Sequence, residues 1–277
     1  MSWFKSDITE ILFPIKDQKM IDLRESWYAN PQSQKNYKEF IPRATEWFQS
    51  TKNNDLHGWS ALPHADVTMG CTHYLESIVQ KYNWSGFQIL KNEYAYYTLM
   101  GKHGVDPEDL EPHKPLIITM PHWTFCDVRP EWDEVLKICE QRKIDIHIDM
   151  AWIITARDIK IDLSHPCIKS MGLSLSKLSL QWSRVGLRFS RQKSMDSITI
   201  FNDYYKDTNT VMTSIGNFWM DNFERDYLWN TYGNQHHDLC RTLDVAPTKI
   251  IHVAKNKKDS TSLGIGQMLG KSTPHSV

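Results

Sequence analysis

Residues 144–188 read IDIHIDMAWIITARDIKIDLSHPCIKSMGLSLSKLSLQWSRVGLR, and the fold is decided inside this stretch. Ile144, Ile146 and Ile148 alternate with Asp145, His147 and Asp149, which is the period of a strand. Asp149 then stands at or near the C-terminal end of that strand, where open α/β sheets place the groups that touch ligands. A second apolar run, 168–175, ends at Ser176 and Lys177. A carboxylate and an amine are therefore expected from the ends of two separate elements, the position of a site.

A lysine so placed can form a Schiff base with an aldehyde cofactor, and a carboxylate can hold a pyridinium nitrogen protonated. Asp149-Met150-Ala151-Trp152, then Ser174-Leu175-Ser176-Lys177, then Arg184-Val185-Gly186 resemble the fold-type I pyridoxal-phosphate enzymes, in particular the class I/II aminotransferases. Their pattern is Asp-x-Ala-Tyr, a few dozen residues, Ser-x-Ser/Ala-Lys and Arg-x-Gly. The resemblance implies that Asp149 partners the pyridine nitrogen and that Lys177 is the Schiff-base lysine and catalytic residue. Ser174 and Arg184 are then phosphate ligands, and Ser176 is a further cofactor-binding residue. Trp152 stands where the family has a tyrosine on the cofactor's phenolic oxygen, and the interval from Lys177 to Arg184 is one residue shorter than usual.

Upstream, Gly70-Cys71-Thr72 opens a segment with Leu75, Ile78, Val79 and Tyr82 at helical spacing. Backbone N–H groups and a hydroxyl at a helix start form an anion site, and the family holds the cofactor phosphate there. A strand over 87–90 leads to Tyr94, the aromatic that by resemblance stacks on the pyridine ring. A strand over 115–120 ends at Pro121, where the family carries an asparagine on the phenolic oxygen. The chain reads PHWTFCD at 121–127 instead. With Trp152 in place of tyrosine, both usual partners of that oxygen are altered, and His122, Thr124 and Asp127 are the candidate substitutes.

A helix over 130–143 delivers the chain to the Asp149 strand. Strand, helix, strand in repetition argues an α/β fold with a mostly parallel sheet flanked by helices and a short C-terminal small domain. The expected division is an N-terminal arm with helices near 6–13 and 37–48 (1–60), a cofactor-binding large domain (61–190), and a small domain ending in a mobile tail from Lys255 (191–277). By resemblance Tyr37 is the arm tyrosine that reaches a partner's cofactor phosphate. No arginine follows Arg241, so Arg241 or another residue must hold a substrate carboxylate.

With 277 residues and a net charge of −1, the chain can bury a sizeable core and gives no reason to propose nucleic acid or a membrane as partner. No apolar run suits a membrane span, the N-terminus lacks a secretory pattern, and five scattered cysteines without a CxxC fit reduced thiols in the cytoplasm. The expectation is a homodimeric aminotransferase that uses pyridoxal 5'-phosphate to move an amino group between an amino donor and a 2-oxo acid. Decarboxylase, lyase and racemase chemistry shares the same first steps, and a non-catalytic member of the fold is a further reading. A separate alternative joins His147 and Asp149 to His236, His237 or His252 as an iron site.

Overall fold

The computed structural model describes residues 15–31, 37–180, 183–205 and 210–270. Helices α1 (Gln18–Ala29) and α2 (Tyr37–Gln49) precede strands β1 (Asp55–His57) and β2 (His64–Thr68). Then come α3 (Gly70–Tyr82), β3 (Gln88–Ile89), α4 (Ala95–Leu99), β4 (Leu116–Thr119), α5 (Trp132–Arg142) and β5 (Ile146–Asp149). They are followed by β6 (Lys160–Asp162), β7 (Ile168–Ser174), β8 (Gly186–Ser190), α6 (Ser197–Asp203), α7 (Thr210–Asn222) and α8 (Tyr227–Thr242). Strands β9 (Val245–Pro247), β10 (Val253–Asn256) and β11 (Ser262–Gly264) complete the order.

The main sheet runs β2-β8-β7-β5-β4-β3. Strands β3, β4, β5 and β7 pair in parallel, and β8 is antiparallel to both β7 and β2. Five strands therefore share one direction. Consecutive β2 and β3 occupy opposite edges, and the chain then steps back through β4, β5 and β7 before β8 closes onto β2. One end of the sheet thus collects Thr68, Thr119, Asp149, Ser174 and the start of β8, with Thr119 opposite Asp149 and Gly186 opposite both Thr68 and Ser174.

The apolar run of β4 and all four residues of β5 are buried, as expected for central strands covered on both faces. The β5 alternation separates the two faces. His147 and Asp149 lie on the side covered by α3, which packs on β7 and β8. Gly172 permits that approach: a Cβ there would stand 2.3 Å from Tyr74 Cδ1. In α5, buried Trp132, Val135 and Cys139 recur at helical spacing, and the helix starts two residues later than the sequence suggests.

Helix α1 has no counterpart in the sequence reading. Asp17 caps it, accepting the Met20 N–H at 2.9 Å, while its other oxygen accepts the hydroxyls of Tyr227 and Tyr232 at 2.8 and 2.7 Å. One buried carboxylate so ties α1 to α8. The expected helix near 6–13 and the side chain of Tyr37 lie outside the described residues. The mobile tail expected from Lys255 is corrected: β10 and β11 pair antiparallel, and Ile265 and Leu269 are fully buried, so packed structure extends to residue 270. A contiguous core joins Leu173 to Ile215, Trp219, Val253 and Leu269. No helix among the described residues is long and apolar enough to cross a membrane.

Gly172→Ala must push the Tyr74 ring, and overpacking of this kind costs about 1–3 kcal/mol. Chemical denaturation should show a loss in that range; an unchanged midpoint would mean that α3 does not rest on β7 as described.

Candidate active site

Asp149 ends β5 beneath the first turn of α3 and is buried. One carboxylate oxygen accepts the Ala151 N–H at 2.9 Å, and the Cys71 thiol donates to the carboxylate. Burial raises the Asp149 pKa; the Ala151 N–H, the Cys71 thiol and the positive charge of Lys177 oppose that rise. Burial, and next the Asp149 charge, hold the Cys71 thiol well above its ordinary pKa, so it stays protonated and able to donate.

Lys177 sits three residues beyond β7, in a short turn of π-helix. The backbone there is kinked, with Ser179 at φ 61°. The surroundings grip the turn from below: the Leu178 carbonyl accepts Trp219 Nε1–H from α7 at 2.8 Å, and the Ser179 carbonyl accepts Arg24 Nη1–H from α1 at 3.0 Å. The ammonium lies over the Trp152 ring, 3.8 Å from its centroid, within cation–π range. Burial lowers its pKa to about 8, against the pull of Asp149 in the other direction. An amine in this state is partly neutral near physiological pH and can attack a carbonyl.

Beside this pair lies a cluster of donors. Gly70 begins α3 with φ +75°, a backbone that L side chains rarely adopt. A Cβ on it would stand 3.1 Å from Ser174 Oγ and 3.8 Å from Arg184 Cβ, so the turn, the end of β7 and the guanidinium stem meet there. Ser174 Oγ donates to Ser176 Oγ at 2.9 Å and accepts the Ser176 N–H at 3.1 Å. Arg184 Nη1 donates to Thr72 Oγ1 at 3.0 Å. Hydroxyls, a guanidinium and the N-terminus of a thirteen-residue helix converge on one spot, the donor set a phosphate needs.

Tyr94 precedes α4 and belongs to the same neighbourhood: after burial, the Asp149 charge is the chief cause of its raised pKa. Its ring stacks on Tyr96 at 6.0 Å and meets the edge of Tyr97 at 6.3 Å. The structure therefore brings together Gly70, Cys71, Thr72, Tyr94, Asp149, Trp152, Ser174, Ser176, Lys177 and Arg184.

Glu93 carries site chemistry that its sequence context does not reveal. Glu93 is buried and accepts the Thr119 N–H through both oxygens, at 2.8 and 3.2 Å. Burial pushes its pKa to about 8, so it is mostly a neutral acid at physiological pH. His122 Nε2 faces it at 3.8 Å, while Nδ1 accepts the Thr124 N–H at 3.1 Å. Burial drives the His122 pKa down to about 3, leaving the ring neutral. His252, also buried and with both ring nitrogens unpaired among the described residues, stands edge-on to Trp152 at 6.0 Å. The only sequence signal for Glu93 was positional: it follows the apolar run of β3.

Other expectations are corrected. Asp127 turns to Lys249 at 2.5 Å and is committed elsewhere. Arg241 is exposed on α8 and pairs with Asp238 at 2.5 Å, whereas Lys177 is buried. The iron alternative has no donor set among the described residues. His147 Nδ1 is bonded to Ser170 Oγ at 2.7 Å, His236 Nε2 faces the Val253 carbonyl, and His237 Nε2 faces Arg157.

No protein-family model matches the chain, and no curated protein matches it. Solved structures do. An aromatic aminotransferase from Pyrococcus horikoshii OT3 superposes with TM-score 0.58 at 12% identity, over 88% of this chain and 76% of that one. A PLP-bound C-S lyase from Staphylococcus hominis gives TM-score 0.57 at 11% identity, over 87% and 71%. A NifS-like protein from Rickettsia africae gives 0.56 at 12% identity, over 92% and 78%. The chain has the fold that these proteins share, the α/β fold expected from the resemblance.

Two outcomes follow from the protonation states. Only the free amine acylates, so labelling of Lys177 should rise with pH through about 8 and level off above it. Peptide mass spectrometry reads this, and a midpoint near the ordinary lysine value would contradict the burial described. For Glu93 the folded pKa, about 8, exceeds the ordinary 4.5. The folded state therefore holds an extra proton between those values, and its stability falls as pH rises through the window, by about 1.4 kcal/mol per unit at most. Glu93→Gln should flatten that slope in denaturation measured at pH 5 and pH 8; an unaltered slope would show the acid to be ionised when folded.

Proposed function

We propose that this chain is a pyridoxal 5'-phosphate enzyme that transfers an amino group between an amino acid, or a related amine, and a 2-oxo acid. The observation that carries the reading is the meeting of buried Asp149 with the Lys177 amine at one end of the sheet, beside a ready-made phosphate cradle. The fold shared with aminotransferases and a C-S lyase supports it. The fit rests on the chain's own groups. Asp149 is a buried carboxylate whose bonded donors are one N–H and one thiol, a setting that favours a protonated ring nitrogen. Gly70 leaves open the space that a side chain would fill between Ser174 and Arg184.

In this reading Ser174, Ser176, Arg184, Thr72 and the N–H groups at Gly70 and Cys71 hold the phosphate. Tyr94 lies against one ring face, and Cys71 fixes the Asp149 carboxylate. Trp152 holds the Lys177 side chain in place. When bound, the cofactor supplies an aldehyde that takes the substrate amine and a ring that withdraws electrons from the substrate's Cα. Lys177, with its pKa lowered to about 8, then takes the proton from Cα and returns it one position away. The partners are a small amino donor and a 2-oxo acid, and the active form is a homodimer, the commonest symmetry for such a chain. All five cysteines are free and buried, which supports a cytoplasmic setting.

Wild-type protein mixed with pyridoxal phosphate should develop an absorbance band near ~420 nm that Lys177→Ala lacks. A panel of amino donors with a 2-oxo acid should yield a new amino acid, and Lys177→Ala should reduce that rate by about 10²–10⁴-fold. Release of ammonia without a new amino acid would replace transfer by elimination. Protein that takes up no pyridoxal phosphate would refute the reading.

A further inference from the structure

A cavity lies at the other end of the sheet, beneath the C-terminal half of α3. It measures about 220 Å³ and opens into a shallower groove beside Gln80 and Met195. Along α3, Lys81 is roughly 16 Å from Gly70 at 1.5 Å per residue, so this is not the cofactor site.

Its floor holds buried polar atoms that no described residue satisfies. His147 and Ser190 line it, each 5% exposed. Among the described residues His147 Nε2 and Ser190 Oγ have no hydrogen-bond partner, and buried polar groups are rarely left so. The His147 ring is neutral, since burial lowers its pKa to about 3. Tyr74 OH, Ser170 Oγ and His147 Nδ1 form a chain at 2.8 and 2.7 Å. With the hydroxyls donating along that chain, Nε2 carries the proton and presents it to the cavity.

Charge on the wall is unbalanced. Lys81, Lys169, Arg188 and Arg191 line it against Asp145 and Asp196. Both carboxylates are already engaged, Asp145 with Lys169 at 3.4 Å and Asp196 with Arg188, which Asp66 also binds at 2.6 Å. Arg191 donates its Nε–H to the Ile168 carbonyl and its Nη2–H groups to those of Ser164 and His165, which leaves Nη1 for the cavity. Among the described residues, neither Lys81 nor Arg191 has a carboxylate within ion-pair distance, and unpaired N–H and O–H donors lie below them.

We infer that this cavity binds a small organic oxyanion, a carboxylate or a phosphate ester. His147 Nε2–H and Ser190 O–H hold it from the floor, and Lys81 and Arg191 hold it from the rim. Tyr82 flanks the histidine at 5.7 Å and offers an apolar wall for the rest of the molecule. The inference does not depend on the reading of the cofactor site.

The test is calorimetric titration of the full chain, preincubated with pyridoxal phosphate, with inorganic phosphate and separately with glutarate at chloride-matched ionic strength. At least one should bind saturably. Lys81→Glu, an exposed change that folding tolerates, should weaken binding at least about tenfold. Arg184→Ala, in the distant phosphate cradle, should leave it unchanged. Binding of phosphate alone would assign a phosphate ester, and of glutarate alone a carboxylate. No saturable binding of either, or binding that survives Lys81→Glu, would overturn the inference.

Discussion

A carboxylate kept out of water has to be compensated, and Asp149 sets that constraint on its surroundings. Isolated charges in a protein interior cost several kcal/mol. Asp149 offsets the cost with the Ala151 N–H, the Cys71 thiol and the nearby ammonium of Lys177. Each of these comes from a different segment. Cys71 belongs to the first turn of α3, Ala151 to the turn after β5, and Lys177 to the kink after β7. The relative placement of three elements is therefore fixed around one side chain.

The sheet topology makes this convergence possible. Because β2 and β3 stand at opposite edges and the later strands fill inward, α3 starts next to the ends of β7 and β8. Gly70, Gly172 and Gly186 sit where side chains would keep these elements apart: a Cβ on Gly186 would lie 2.1 Å from the Leu173 carbonyl oxygen. Farther out, Arg24 and Trp219 anchor the lysine turn from α1 and α7. The helices flanking the sheet thus act on the geometry of the site as well as on the core.

Much of this was legible in the sequence where a single segment carries the signal. The alternation of Ile146, His147, Ile148 and Asp149 marked a strand with two different faces, and the apolar run before Pro121 marked a buried one. The Ser174 to Arg184 pattern singled out one cluster of donors because its members are close along the chain. What escaped depended on distant partners. Helix α1 buries only Met20 and Trp27, too sparse a stripe to read, and is held by Asp17 through two tyrosines more than 200 residues away. The segment after Lys255 looked like a tail because of its lysines, serines and glycines; pairing with β10 and burial of Ile265 and Leu269 order it. Glu93 gave no signal of its own, and only the closeness of Thr119 and His122 reveals it as a buried acid.

The central claim is that the amine of Lys177 and the carboxylate of Asp149 serve one ligand. Its most direct measurement is borohydride reduction of the protein with pyridoxal phosphate, followed by proteolysis and mass mapping of every lysine. A phosphopyridoxyl group confined to Lys177 in the wild type, and much reduced in Asp149→Ala, is the result expected. Label spread over surface lysines, or label on Lys177 indifferent to the loss of Asp149, would contradict the account.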